Sequence, residues 1–311
     1  MKKFSEYQHV PGQPMSERDK KEANSKFWGK GKWDNFIAPL LPKRCENMTF
    51  VDMGCNAGLF LNFAEKRGFK DVRGVDSDYQ AIKKIEEHMG SGKGVTKYWH
   101  GNMQDAELPL ADYVVFANSH YYLNISDFVL LLDRLRNRTR FCLVVSGDKK
   151  TYPHIASSKA KDIRRYFNDW KEIDGISQID PIGDPAPRKL WTLVFQSPTL
   201  KRVSMRGLDC GNYVQSSFYQ QLDEGVDYRK TKYFGIIKNY RLNKNSESLS
   251  VWTEDELHIF FKGKIDLYKS VKESGLQNPI IINHTGKILD GNHRYMIMKH
   301  LGHTTILVRE G

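Results

Sequence analysis

Three runs of residues carry types and spacings that could do chemistry. The first is Val51-Asp52-Met53-Gly54-Cys55-Asn56-Ala57-Gly58. Its glycines let backbone approach a ligand closely and take positive φ. It opens on an acid, which suits an ammonium group better than a pyrophosphate and sets the pattern apart from GxGxxG. Asp76 ends the next apolar run, where a carboxylate can grip two ribose hydroxyls. The second run is Ala117-Asn118-Ser119-His120-Tyr121-Tyr122-Leu123. His120 could serve as a general base for a hydroxyl, because imidazole titrates near neutrality. Equally, His120 and Tyr121 could only shape a pocket. The third run is Asp290-Gly291-Asn292-His293-Arg294. Opening a helix, it would present free N–H groups and a positive dipole end to phosphate. Arg294 would add a bidentate grip and His293 a further donor.

Each run needs elements to hold it. Residues 48–52 read as a strand feeding the first loop, and 59–67 as a helix closed by Gly68. Strands follow at 71–76 and 96–100, separated by a helix over 79–89. The apolar run 111–117 is a strand that delivers Asn118, followed by a helix over 125–136 and a strand over 141–146. This alternation predicts a parallel sheet covered on both faces. Residues 170–179 and 190–195 read as an antiparallel hairpin at its edge. A smaller unit follows, with a helix over 253–274, strands over 279–283 and 287–289, a helix over 294–301 and a strand over 305–308. The expected divisions are an N-terminal helical lid or substrate segment (1–44), a main domain (45–200), a connector (201–250) and a C-terminal domain (251–311).

The composition, 40% hydrophobic and 27% charged, is too apolar for a disordered chain. No run reaches the roughly 20 apolar residues of a membrane helix, and the N-terminus has no secretory pattern. The four cysteines form no CxxC pair, which disfavours a zinc site or a disulfide framework. The expected location is therefore the cytoplasm. The net charge of +11 points to an anionic partner, either a phosphorylated acceptor or nucleic acid.

With these motifs the chain resembles the class I S-adenosylmethionine (SAM) dependent methyltransferases over roughly residues 45–200. The resemblance implies a Rossmann-like doubly wound α/β fold with SAM as cofactor. Asp52, Gly54, Cys55, Asn56 and Gly58 would surround its methionine part and Asp76 its ribose. Asn102 and Met103 would lie along the adenine, and Asn118 would face the cofactor from the fourth strand. The (N/D)PP(Y/F) pattern of base-amino methylases is missing, which points toward methylation of oxygen. Short segments are also similar to the kinase–methyltransferases that cap bacterial O-antigen chains with methyl phosphate: Phe27-Trp28-Gly29, Asp184 to Val194, and Tyr228 to Gly235. A phosphate acceptor would need cations, with Arg188, Lys189, Lys32 and the Arg229–Lys232 cluster as candidates.

The C-terminal run, from Pro279 through Asp290-Gly291-Asn292-His293-Arg294, resembles the ParB/sulfiredoxin-like fold in its kinase-type form. That implies binding of ATP or another nucleotide, with Mg, and phosphorylation of a glycan or small hydroxyl acceptor before its methylation. Glu254, Asp255 and Glu256 could supply a base or metal ligand there, or could simply charge a first helical turn. Two rival readings stand beside this one. The first is a nucleic-acid methyltransferase using a ParB-like domain for contact. The second is a nucleotide-gated binding module with an inactive methylase fold.

Overall fold

The computed structural model describes residues 29–89, 96–147, 156–180, 188–208, 210, 216–242 and 252–311. The chain divides into two compact units, Met1–Leu200 and Lys201–Gly311.

The first unit begins, among the described residues, with a continuous helical segment. It comprises α1 (Gly29–Lys32), a π-helical turn (Trp33–Ile37) and a 3-10 turn (Ala38–Leu40). Then come β1 (Thr49–Met53), α2 (Leu59–Arg67), β2 (Asp71–Asp76), α3 (Tyr79–Met89), β3 (Thr96–His100), β4 (Ala111–Ala117), α4 (Ile125–Arg136), β5 (Thr139–Gly147), α5 (Ala160–Tyr166), β6 (Lys171–Asp180) and β7 (Arg188–Gln196). The strands form one seven-stranded sheet in the order β3-β2-β1-β4-β5-β7-β6. β1 to β5 pair in parallel, while β7 runs antiparallel to both β5 and β6. The expected hairpin is present. β6 takes the edge and β7 lies inside, hydrogen-bonded on both sides.

Strand alternation puts successive side chains on opposite faces. Val51, Met53, Val114, Phe116, Cys142 and Val144 belong to one core cluster. Phe50, Tyr113, Val115, Leu143 and Val145, from the same three strands, belong to the other. The helical segment covers the second face. Trp33 packs on Phe50, Phe60 and Phe63 with ring centroids 5.8, 6.0 and 5.6 Å apart. The Thr192 hydroxyl on β7 donates to the Phe36 carbonyl at 2.8 Å. In the described part of the expected N-terminal lid or substrate segment (1–44), Trp33, Phe36 and Ile37 are core residues. Residues 1–28 lie outside the described residues.

The second unit contains a four-stranded sheet in the order β10-β9-β11-β8, with β8 (Leu200–Ser204), β9 (Ile280–Ile282), β10 (Ile288–Asp290) and β11 (Thr305–Glu310). Its helices are α6 (Ser216–Asp223), α7 (Lys232–Leu242), α8 (Glu254–Ser274) and α9 (Asn292–His300). β8, α6 and α7 fall in the stretch read as a connector, and they contribute to this unit's own sheet and aromatic core. Phe218 and Tyr233 both pack against Phe261 of α8. Asp223 at the end of α6 accepts from Tyr268 (2.6 Å), Lys272 (2.8 Å) and His300 (2.8 Å), tying α6 to α8 and α9. The acidic first turn of α8 has structural duties. Thr253 and Glu256 form a capping box, and Glu254 pairs with Lys238 at 3.1 Å. Among the described residues, no His/Cys/Asp/Glu group could hold a metal ion, and no helix is long and apolar enough to cross a membrane.

Candidate functional site

The strand order reverses between β1 and β4, because β2 and β3 extend to one side and β5 to the other. In an open α/β sheet, ligands bind outside the carboxyl ends of strands at such a switch point. The first two sequence motifs meet there. Asp52 lies in β1 opposite Val115 of β4, and Asn118 and Ser119 directly follow β4.

The loop after β1 is held by the neighbouring strand. The Gly54 and Cys55 amides donate to the Val75 carbonyl at 2.8 and 3.0 Å. The two Asp76 carboxylate oxygens accept from the Asn56 amide (2.8 Å) and the Asp78 amide (2.9 Å). Asp76 thus staples the loop in place and remains half-buried at its rim. Asn56 takes φ +49 and accepts from the Ala57 amide with its own side chain. Gly58 then opens α2 at φ +75. Asn118 takes φ +62. Bulky residues rarely adopt this left-handed region, and asparagine is enriched there, often at functional sites.

Three buried polar atoms at this spot have no hydrogen-bond partner within the protein: Asp52 Oδ1, Asn118 Oδ1 and Ser119 Oγ. Leaving such atoms unpaired costs about 1–3 kcal/mol each. Asn118 Oδ1 is an acceptor only, and so is the Asp52 carboxyl once ionised, so each then requires a donor. The Asp52 carboxyl is pushed up to about 8, first by burial, then by the nearby Asp76 charge, with Lys32 pulling the other way. An ammonium group beside Asp52 would supply that donor and favour the ionised carboxylate. The donor set therefore fits the amino-acid end of SAM.

The remaining predicted residues divide. Met103 is buried, and its sulfur faces the bare Cα of Gly54. Asn102 is exposed and donates to Asp105 at 3.3 Å. Arg134 of α4 donates to the Gln104 and Ala106 carbonyls, and Arg138, just after α4, donates to the Leu108 carbonyl at 2.8 Å, so the end of α4 and the turn behind it pin this segment. The Cys55 thiol turns away from the site. It packs in the core beside Gly74, where any Cβ would stand 2.7 Å from the sulfur. Cys55 therefore contributes backbone only.

His120 is fully buried, and its Nε2 donates to the Ser157 carbonyl at 3.1 Å. Its ring sits between Tyr121 and Phe128. It braces the turn after β4, and of its two expected roles the geometry supports pocket shaping. Burial raises the Tyr121 hydroxyl well above the usual phenol value. Tyr122 is exposed beside it, with ring centroids 5.0 Å apart. Arg188 starts β7, but its side chain lies outside the described residues, as do Phe27, Trp28 and 181–187.

No protein-family model matches the chain, and no curated protein sequence matches it. Solved structures with a similar fold include TehB from Haemophilus influenzae (16% identity, covering 57% of this chain and 65% of that one, TM-score 0.44). A TehB-like SAM-dependent methyltransferase from Corynebacterium glutamicum gives 15% identity, 58% and 93% coverage, and a TM-score of 0.42. The N-methyltransferase NodS from Bradyrhizobium japonicum, in complex with S-adenosylhomocysteine, gives 15%, 49%, 78% and 0.41. At such scores the functional reading rests on this chain's own residues.

The second unit brings Asp290 to His293 together at the start of α9. Gly291 caps the helix at φ +98. Arg294 is already committed: it donates to the Pro279 carbonyl at 2.8 Å and to Asp290 at 2.6 Å. Two N–H groups of its guanidinium thus serve the fold. His293 Nδ1 lies 3.0 Å from the Tyr219 hydroxyl. Burial, helped by the nearby Lys264 charge, pulls its imidazole down to about 3, so it is neutral at physiological pH. The sequence pattern missed Lys264, a half-buried ammonium over the Phe260 ring at 4.8 Å and within reach of Asp290. In the sequence it is one of four lysines on a long helix, with nothing local to set it apart.

Proposed function

We propose that this chain is a SAM-dependent methyltransferase acting on an oxygen of an anionic acceptor, such as a phosphate on a glycan or small molecule. The observation that carries the cofactor is the pair of unsatisfied acceptors, Asp52 Oδ1 and Asn118 Oδ1, at the sheet's switch point. When bound, the cofactor supplies an electrophilic sulfonium methyl. The protein's part is to seat the amino-acid end on Asp52 and Asn118 and to hold the loop with Asp76. The turn 118–122, buried at Ser119 and His120, orients the acceptor.

The acceptor class follows from the bases on offer. At the end of β4, His120 is buried against a carbonyl and Tyr121 is a weakened acid. Among the described residues there, neither is poised to remove a proton from a neutral hydroxyl. A phosphate monoester is already an anionic nucleophile and needs only orientation. The same proposal assigns the second unit to nucleotide, ATP or a relative, with Mg. The Gly291-capped start of α9 and Lys264 would meet its phosphates.

Incubation with methyl-labelled SAM and phosphorylated glycan acceptors tests this reading. The label should enter a phosphate ester that alkaline phosphatase no longer removes. Label recovered in nuclease-sensitive material would instead favour the nucleic-acid alternative.

A further inference from the structure

Ser119 is only 4% exposed, and its hydroxyl has no hydrogen-bond partner in the protein. It stands just after β4 and abuts the loop after β1, with Oγ 3.3 Å from where a Cβ on Gly54 would lie. The backbone around it is fixed. The Asn118 amide donates to the Val145 carbonyl at 2.9 Å, and the Ser119 carbonyl accepts from the Tyr122 amide at 3.0 Å. The hydroxyl is thus held in place without being used. It carries one proton to donate, and leaving a buried donor unpaired costs free energy. The neighbouring acceptors do not take that proton, because Asp52 Oδ1 and Asn118 Oδ1 are themselves unpaired.

The loop across from Ser119 shows what such a donor can serve. Its backbone amides are all spent within the protein. Those of Gly54 and Cys55 go to the Val75 carbonyl, that of Asn56 to Asp76, that of Ala57 to the Asn56 side chain, and that of Gly58 to the Cys55 carbonyl at 2.9 Å. The amino-acid end of SAM brings an ammonium, which suits Asp52, and a carboxylate, which can only accept hydrogen bonds. Taking that carboxylate out of water without a donor is costly. The loop has no amide left for it, whereas the Ser119 hydroxyl is uncommitted. We infer that Ser119 Oγ donates to the α-carboxylate of the cofactor, so that the turn after β4 reads the carboxylate while Asp52 takes the ammonium. This rests on the proposed SAM site. It names the residue by which that site tells an amino-acid tail from a plain amine.

The test is a set of ligands that differ at that end, titrated into full-length wild type, Ser119→Ala and Ser119→Cys. SAM carries ammonium and carboxylate, decarboxylated SAM only the ammonium, and 5′-methylthioadenosine neither. In wild type, SAM should bind about tenfold or more tighter than decarboxylated SAM, the scale of one hydrogen bond to a charged group. Ser119→Ala should cut that preference to about threefold or less and leave decarboxylated SAM and 5′-methylthioadenosine within about twofold of wild type. Without ligand it should melt no lower than wild type, because it removes a hydroxyl that nothing in the protein satisfies. Ser119→Cys, close to serine in shape but a weak donor, should follow alanine. If Ser119→Ala weakens SAM and decarboxylated SAM equally, or keeps the wild-type preference, the hydroxyl does not serve the carboxylate and the inference is overturned. A cysteine variant that keeps the full preference would overturn it too, since shape and not the hydrogen bond would then decide. If wild type binds SAM but shows no preference over the decarboxylated form, the inference fails while the SAM site stands. If wild type binds none of the three, the proposed function fails as well.

Discussion

Gly54, in the loop after β1, faces Ser119, in the turn after β4, so closely that a Cβ on Gly54 would stand 2.5 Å from the Ser119 Cβ. Two loops from neighbouring strands can therefore share one site only because one of them lacks a side chain. Gly54 also takes φ +83, a conformation that non-glycine residues avoid. Gly54→Ala should destabilise the first unit by about 1–3 kcal/mol and abolish binding of S-adenosylhomocysteine. Chemical denaturation and calorimetry on the same preparation measure both. A variant that binds normally would show that the loops do not converge on the cofactor.

Asp52 predicts a pH signature. Burial raises its folded value from 3.8 to about 8. A group raised in the fold favours folding when protonated, so its contribution is complete below about pH 4 and is lost as the pH climbs through 8. Asp52→Asn should therefore stabilise the ligand-free protein more at pH 8 than at pH 5. Melting curves at the two values check the sign. The affinity of wild type for S-adenosylhomocysteine should rise between pH 6 and 8 as the carboxylate forms, and the rise should vanish in Asp52→Asn.

His293 predicts the opposite slope. Its folded value is pulled down from 6.5 to about 3. Its contribution is present above pH 6.5 and is lost as the pH falls from there toward 3. His293→Gln should make the second unit less sensitive to acid over that window. Amide exchange of residues 252–311 at pH 7 and pH 4.5 measures this. Equal acid sensitivity in the two proteins would contradict the burial of a neutral imidazole.

Arg294 separates a structural role from a ligand role. Arg294→Lys keeps the charge but loses the fork that holds Asp290 and the Pro279 carbonyl. It should lower the stability of the second unit by about 1–2 kcal/mol in urea and leave affinity for inorganic phosphate within twofold. A large loss of phosphate binding at unchanged stability would return Arg294 to the ligand.

Much of this was legible in the sequence because the patterns were local. Leu59–Arg67, closed by Gly68, and Ile125–Arg136, capped by Asn124, each carry their own start or stop signals. The Asp52–Gly58 loop and Asn118 could be placed because strand alternation fixed where β1 and β4 end. What stayed hidden depends on distant partners. Nothing near Arg294 shows that the Pro279 carbonyl will occupy it. A DGNHR run reads the same whether its arginine faces a phosphate or a backbone oxygen. Cys55 lies inside a cofactor motif, and only the bare Gly74 on the next strand reveals that its thiol points into the core. Lys32 read as a candidate cation for an acceptor's phosphate, and only the fold shows that it is buried.

The most direct test of the central claim is calorimetric titration of S-adenosylhomocysteine into wild type, Asp52→Asn and Asn118→Ala. The account predicts one site per chain in wild type and at least about tenfold weaker binding in each variant, because Asp52→Asn loses the carboxylate charge and Asn118→Ala loses an acceptor that only the ligand satisfies. Wild type that binds no S-adenosylhomocysteine, or variants that bind it as tightly as wild type does, would contradict it.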